Sequence, residues 1–504
     1  MLLPDPTPHP LDHLATRGGL NSPALITRDQ RLSYAELNQA VGRLAGHLLG
    51  SGLVAGDRVA TWLAKTVEAC LMPLAAARAG LVHVPINPLL KRAQAAHILA
   101  DSGARLLIAG EGRIASFERG DCPAPCAIWR ETKAREAWQH GDALPPSMHS
   151  TDRLAAILYT SGSTGTPKGV VLSHANLWLG AISVAHYLHI IPKDHVLAVL
   201  PLSFDYGQNQ LLSTWAAGAC VTPLDYLTPR DVVRAVDTFG ANVIAGVPPL
   251  WVHLVATTWP IDAANQIRKV TNSGGALSEA LIKKIKDTFP AADVYPMYGL
   301  TEAFRSTFLA PELVDHHPTS MGRAIPFAEI MVVTPDGRIA DDGEAGELVH
   351  AGPLVAQGYW QDEERTALRF RPAPPSSRYG GVAVWSGDTV RRDAGGLHYF
   401  VARDDDMIKV SGNRISPSEI ENAAQASGAV TESIAFGVAD VALGQSITLV
   451  AIASGVDAEA RLTAYFRREL PSFMVPAHII WRADMPRNPN GKLDRNAIKA
   501  EASE

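Results

Sequence analysis

The sequence predicts an α/β protein: a large N-terminal domain of mostly parallel sheets with helices, then a small α+β domain at the C-terminal end. Three observations carry this. Helix and strand signals alternate through the first half of the chain, the pattern that builds parallel sheets. Beyond residue 320 the character changes to short strands joined by Gly-rich turns. Near Asp405 a smaller unit begins, with strands and helices of its own.

The elements follow in order. Ser33-Tyr34-Ala35-Glu36 is a capping box, after which Leu37, Val41, Leu44 and Leu48 recur at helical spacing until Gly50 and Gly52. RVATWLA (58–64) reads as a buried strand, VEACLMPLAAARAG (67–80) as a helix and LVHVPIN (81–87) as the next strand. The alternation returns at 91–109, and again at 231–247, where DVVRAVDTFG precedes NVIAGV. From Arg113 to Thr151 the chain is polar, contains prolines and has no period, so a surface loop with one short strand is expected there. TPDGR, DDGEAGELVHAG, WSGDTV and DAGGLHYF then read as strands and turns of a small β-barrel-like part. Ser416, Pro417 and Glu419 are spaced as N-cap, N1 proline and N3 glutamate of a helix. Strands at ESIAFGV and SITLVAIA and a helix around AEARLTAYFRREL complete the unit.

At 504 residues the chain exceeds a single core and divides into at least two domains. Apolar residues at 47% and charged residues at 19% describe an ordinary globular protein. A formal net charge of −6 gives no reason to expect nucleic acid or an anionic membrane as partner. No apolar run reaches the length of a membrane span, and MLLPDPTPHPLDHL lacks the basic and apolar regions of a signal peptide, so a cytoplasmic location is expected. Cys70, Cys122, Cys126 and Cys220 are too few and too scattered for a disulfide framework. Cys122 and Cys126 have no second ligand pair near them and read as plain thiols.

The chemistry is concentrated in YTSGSTGTPKGV (159–170). Thr160, Ser161, Ser163 and Thr164 supply hydroxyls, Gly162 and Gly165 let the backbone approach a ligand closely, and Lys168 adds a positive charge. Such a loop suits a polyphosphate. It is not a Walker A loop, because Lys168 is followed by Gly169. In YPMYGLTEAF (295–304), Tyr298 and Gly299 are followed by Thr301 and Glu302, offering a stacking face, a hydroxyl and a carboxylate on one loop. Beside a phosphate loop Glu302 fits a Mg²⁺ ligand; taken alone it reads equally as a solvated glutamate at a strand exit.

Together with SGD (386–388), ARDDDMIK (402–409) and NPNGKLDR (488–495), these stretches resemble, in order and over essentially the whole chain, the adenylate-forming superfamily. That group holds acyl-CoA synthetases, adenylation domains of nonribosomal peptide synthetases, and luciferases. The resemblance implies two half-reactions: a carboxylate attacks the α-phosphate of ATP to give an acyl-adenylate and pyrophosphate, and a thiol then displaces AMP. It further implies that Thr160, Ser161, Gly162, Ser163, Thr164, Gly165 and Lys168 hold the phosphates and that Tyr298 lies against adenine. Gly274, Gly275 and Ala276 of TNSGGAL line the adenine and acyl pocket, Thr301 touches the α-phosphate, and Glu302 ligates Mg²⁺. Asp388 accepts the ribose hydroxyls and Arg403 bonds the ribose. Lys492, after the turn Pro489-Asn490-Gly491, offsets the charge that develops in adenylation; read from spacing alone it is a turn lysine in solvent. The implied division is 1–404 for the adenylation core and 405–504 for a mobile lid that turns about Asp405. Ala402, where glycine is usual, and Asn413, often aromatic, depart from the family pattern.

LPLSFDYGQNQ (200–210) resembles the family's acyl-pocket segment. Many acyl-CoA synthetases carry histidine at the position of Asp205, whereas amino-acid-activating domains carry aspartate after the same phenylalanine, here Phe204. An ionised Asp205 needs a cation, and a substrate ammonium is one candidate; Arg305 suits a second substrate carboxylate. The alternative is that Asp205 and Arg305 pair with each other. Ser273 and Gly274 complete the expected substrate contacts. The segment also resembles a sub-branch of β-amino-acid-activating ligases and exosortase-associated AMP-forming ligases. The expectation is therefore an enzyme that loads an amino acid of the aspartate, glutamate or β-amino type onto the phosphopantetheine of a stand-alone acyl carrier protein, since no carrier-type serine motif follows NPNGKLDR. An acyl-CoA ligase using CoA and a non-amino acid is the alternative within the class; a non-catalytic ATP- or AMP-binding protein is the alternative outside it. A luciferase-like pocket is disfavoured by Asp205 and Arg305.

Overall fold

A computed structural model describes residues 3–160, 167–403, 407–486 and 495–502. Helices begin where the sequence supplies caps. The Ser33 hydroxyl accepts from the Glu36 amide, and the Glu36 carboxylate accepts from the Ser33 amide at 2.8 Å, opening the helix Tyr34–Gly50, which buries Leu37, Val41, Leu44 and Leu48. Ser173 and Asn176 open His174–Tyr187 with the same reciprocal pair, and the Thr66 hydroxyl caps Val67–Arg78 by accepting from the Ala69 amide alone.

A six-stranded sheet runs in the order Ala127–Arg130, Leu106–Ala109, Arg58–Trp62, Val82–Pro85, Leu154–Thr160, Lys168–Ser173. All its pairs are parallel except the last, an antiparallel ribbon in which Thr160 stands opposite Lys168. The register fixes both ends of the phosphate-loop motif on one rigid element.

The second sheet has fourteen strands. Its parallel part contains Cys220–Pro223, His195–Ala198, Val243–Gly246, Lys269–Asn272 and Asp293–Tyr298. From Asp293–Tyr298 the path turns antiparallel through Thr307–Phe308, Ser320–Ala324, His398–Arg403, Val382–Arg392, Ala345–Ala351 and Glu329–Val333. The short strands beyond residue 320 thus extend the parallel sheet in one hydrogen-bonded series. The core beneath includes Trp215 and Trp251, both fully buried.

The small C-terminal unit is a five-stranded sheet of Asn413–Ile415, Ile408–Val410, Gly444–Ala453, Val430–Asp440 and His478–Arg482, with helices Pro417–Ala426 and Ala458–Glu469 and a core of its own that includes Leu462 and Phe466. Several contacts join it to the large domain, among them two near its first helix and hairpin. The hairpin turn at Gly412 lies against Val247, and Gln94 Nε2 donates to Glu419 Oε1 at 3.3 Å. Among the described residues no helix is long and apolar enough to cross a membrane.

One local expectation fails and another holds in position only. The stretch expected as loop between Arg113 and Thr151 contains, besides its strand, the helix Glu131–Gln139. That helix buries only Ala134, Ala137 and Trp138, too weak an apolar signal to set a period against ETKAREAWQ. Ser416, Pro417 and Glu419 do stand at N-cap, N1 and N3 of Pro417–Ala426, but the buried Ser416 hydroxyl makes no cap bond and has no partner among the described residues, while Glu419 reaches across to Gln94.

Candidate active site

The C-terminal ends of parallel strands are where open α/β sheets bind ligands. Here the loop after Asp293–Tyr298 doubles back tightly. Gly299 is required there, since a Cβ would stand 2.9 Å from the Arg305 Cα. Phe304 adopts φ +61°, ψ −66°, and the Arg305 amide donates to the Ala303 carbonyl at 2.7 Å, a γ-turn of the rarer, strained kind. Gly180 makes room for the Phe304 ring. The turn sends Glu302 to one side and Arg305 to the other.

Glu302, 6% exposed, meets Lys168: Nζ donates to Oε1 at 3.1 Å. Tyr359 joins both, accepting from Lys168 Nζ at 2.6 Å and donating to the same Glu302 oxygen at 2.8 Å. Burial and the Glu302 charge push the Tyr359 phenol well above its ordinary pKa, so it stays a donor. At the other end of the phosphate-loop motif the Thr160 hydroxyl is buried and has no partner among the described residues. The Tyr298 hydroxyl donates to the Asp388 carboxylate, bringing the expected adenine and ribose residues together. The backbone of Arg403 stands opposite Asp388 in the adjacent strand; its side chain lies outside the description. Gly274, at φ +79°, and the exposed Ala276 border the open mouth after Lys269–Asn272, with Gly275 held by Asn272 Nδ2 at 2.8 Å. Ser273 beside them is buried.

On the other side, Arg305 Nη1 donates to Asp205 Oδ2 at 2.6 Å and to the Phe304 carbonyl at 2.9 Å. The Thr301 hydroxyl, expected at the α-phosphate, donates to Asp205 Oδ1 at 3.3 Å. Of the two readings open for Asp205 and Arg305, the described structure has them paired with each other. The pair is almost fully buried, with side chains 4% and 3% exposed. The guanidinium also stacks 4.5 Å above the Tyr206 ring, while Phe204 caps the helix Asp205–Ala216 that carries the aspartate. Arg305 Nε and Nη2 have no partner among the described residues. These two N–H groups form the edge of the fork that matches a carboxylate bidentately. Gln208, on the same helix and 1% exposed, has neither side-chain amide atom bonded among the described residues.

Ser161, Gly162, Ser163, Thr164, Gly165, Asp405 and Lys492 lie outside the described residues. Sequence reasoning missed Tyr359, Gly180 and Gln208. Tyr359 stands in GYW, immediately before a tryptophan, with nothing local to mark it. The donor set fits a metal–nucleotide: a hard carboxylate beside a lysine and an unpartnered hydroxyl at one end, and an acceptor-only carboxylate at the other.

A six-stranded and a fourteen-stranded sheet with a separate small C-terminal unit give a mixed α/β fold, and its open strand ends carry a donor set that suits a nucleotide. The chain belongs to the AMP-binding enzyme family, within the adenylate-forming ligases: that family matches residues 11–360, and the AMP-binding enzyme C-terminal domain matches 419–492. It is 31% identical to phosphinothricin tripeptide synthetase PhsC of Streptomyces viridochromogenes over 94% of its own length and 43% of that protein's, so it spans less than half of that relative. It is also 31% identical to novobiocin biosynthesis protein H of Streptomyces niveus, covering 95% of this chain and 80% of that one. In structure it is similar to the o-succinylbenzoate CoA synthetase MenE of Bacillus subtilis. A double mutant of MenE bound to a CoA product analogue gives a TM-score of 0.86 at 25% identity, covering 98% of both chains. MenE bound to its acyl-adenylate gives 0.71 at 26% identity, again covering 98% of both.

Proposed function

We propose that the protein adenylates a carboxylic acid carrying a second carboxylate and transfers the acyl group to a thiol. The observation that carries the substrate class is the buried Nε–Nη2 edge of Arg305, which has no partner among the described residues. Two buried donors without acceptors are costly, by about 1–3 kcal/mol each, unless a ligand answers them. A substrate carboxylate answers both at once. The carboxylate to be activated must lie at the ATP, so the one on Arg305 is the second.

In this reading Lys168, the Thr160 hydroxyl and residues 161–165 hold the phosphates, Glu302 ligates Mg²⁺, and Tyr298 with Gly274, Gly275 and Ala276 borders the adenine. Asp388 and Arg403 bind the ribose. Lys492 acts in the first half-reaction from a lid spanning 405–504 that turns at Asp405. Mg²⁺ held at Glu302 would neutralise phosphate charge. The acid is an amino acid of the aspartate, glutamate or β-amino type, with Asp205, Ser273 and the Gln208 amide near its polar groups. The mutual pairing of Asp205 and Arg305 favours a second reading, a dicarboxylic acid without the amine. The acceptor is the phosphopantetheine of a carrier protein, with CoA as the alternative.

Pyrophosphate release with ATP, Mg²⁺ and a panel of aspartate, 3-methylaspartate, glutamate, succinate, glutarate, β-alanine and a fatty acid tests the reading. Acids with two carboxylates are expected to lead. Silence across the whole panel sinks catalysis; a lead by the fatty acid sinks the substrate class. Lys492→Ala is expected to slow adenylation by about 10²–10³, while thioester formation from supplied acyl-adenylate largely survives. Equal loss in both steps would mean that Lys492 is structural.

A further inference from the structure

The phenol of Tyr359 occupies a position that the expected chemistry did not assign. It belongs to 356–360, a segment that touches both halves of the nucleotide end. The Ala356 amide donates to the Glu302 carbonyl at 2.9 Å. The same segment then runs beside the strand Lys168–Ser173, with Gln357 N to Val171 O at 2.9 Å, Val171 N to Gly358 O at 3.0 Å and Trp360 N to Gly169 O at 2.8 Å. The Tyr359 amide is itself fixed by the Thr366 hydroxyl at 2.9 Å. The ring lies 4.1 Å from Lys168 Nζ, so the ammonium rests on the aromatic face as well as on the hydroxyl. The Glu302 oxygen Oε1 accepts from both Lys168 and Tyr359.

We propose that Tyr359 is a positioning residue for the first half-reaction: its hydroxyl locks the Glu302 carboxylate and the Lys168 ammonium in one fixed arrangement, ready for a metal–triphosphate. The physical case is preorganisation. A lysine side chain has a long flexible stem, and a carboxylate beside it can rotate freely; a third group bonded to both removes that freedom before the ligand arrives. The phenol reaches Oε1 from within the protein and so fixes how the carboxylate is turned toward a metal.

This inference rests on the reading that Glu302 serves Mg²⁺, and the test separates the two. Binding of a non-hydrolysable ATP analogue is titrated calorimetrically against Mg²⁺ in wild type, Tyr359→Phe, Glu302→Gln and the double variant, with melting temperatures recorded. Tyr359→Phe keeps the ring and should raise the half-saturating Mg²⁺ concentration by about tenfold, the scale of one hydrogen bond to a charged group, with little change in melting temperature. In the Glu302→Gln background the same change should add nothing to the Mg²⁺ dependence. Thioester formation from supplied acyl-adenylate should be spared. Normal Mg²⁺ dependence in Glu302→Gln would remove the metal reading itself. A shifted Glu302→Gln with an unshifted Tyr359→Phe, or equal loss in both half-reactions for Tyr359→Phe, would overturn the positioning role alone.

Discussion

One turn, Thr301 to Arg305, contributes a member to each of two buried ion pairs, and the pairs are built differently. Glu302 meets Lys168 beside a phenol that bonds to both. Asp205 meets Arg305 through a single nitrogen of the guanidinium, and the Nε–Nη2 edge stays without a partner among the described residues. The first arrangement shares its donors and acceptors internally; the second leaves a buried donor excess. A site that must accept the same nucleotide at every turnover can rely on a closed, preset cluster. A site that must select one acid gains by withholding a bidentate edge that only the right substrate satisfies.

The largest expected effect comes from breaking the open pair. Arg305→Ala strands Asp205 in the interior and should cost about 3–5 kcal/mol of stability. The double variant Asp205→Asn, Arg305→Met removes both charges, so its melting temperature should stay near that of wild type. Its kcat/KM for the acid with two carboxylates should fall by about 2–5 kcal/mol, with preference moving to a monocarboxylic acid. Retention of the wild-type preference by that folded double variant would mean that the edge recognises nothing. Asp205→Asn alone then sharpens the role of the aspartate. Equal losses for an amino acid and its des-amino analogue would mark Asp205 as the anchor of Arg305, and a loss confined to the amino acid would mark it as an ammonium ligand.

A smaller effect is expected from the turn itself. A Cβ on Gly180 would stand 2.3 Å from the Phe304 ring, so Gly180→Ala must push the ring that centres the strained γ-turn. Overpacking of this kind costs about 1–3 kcal/mol. Glu302 is tied separately to Lys168 and Tyr359, whereas Arg305 follows Phe304 directly. The KM for the acid should therefore rise several times more than the KM for ATP, by about 2–3-fold at the least for a shift of this energy shared between fold and site. Equal rises would show that the two pairs move as one body.

The sequence announced the capped helices, the alternating strands and the Thr160-to-Lys168 motif because each is encoded within a few residues. It offered Asp205 as a candidate through a resemblance, Glu302 through its place beside the phosphate-type loop, and Arg305 through the fit of a guanidinium to a carboxylate. It left undecided whether Asp205 and Arg305 pair, since a hundred residues separate them and only the tertiary fold decides. Tyr359 was illegible for the same reason: its partners lie 191 and 57 residues away. Phe304 at positive φ could not be foreseen from an aromatic residue, which gives no local sign of that conformation. The helix Glu131–Gln139 was missed because two of its three buried residues are alanines.

The smallest effect concerns the junction with the C-terminal unit. Glu419 is partly buried beside Gln94, and that desolvation pushes its carboxyl up to about 7. Released from the contact, the group would return to the ordinary carboxylate range near 4.5. The sign follows from linkage: the docked form binds the extra proton, so docking is fully supported below the released value and weakens as pH rises to about 7, above which it levels off. Dyes placed on the exposed positions Leu227 and Val441, after Cys122 and Cys126 are changed to serine, would report the separation of the two units by energy transfer. The docked fraction should fall as pH is raised from 5 to 8, and Glu419→Gln, neutral throughout, should flatten the profile. A wild-type profile that is already flat would show that Glu419 ionises without regard to docking.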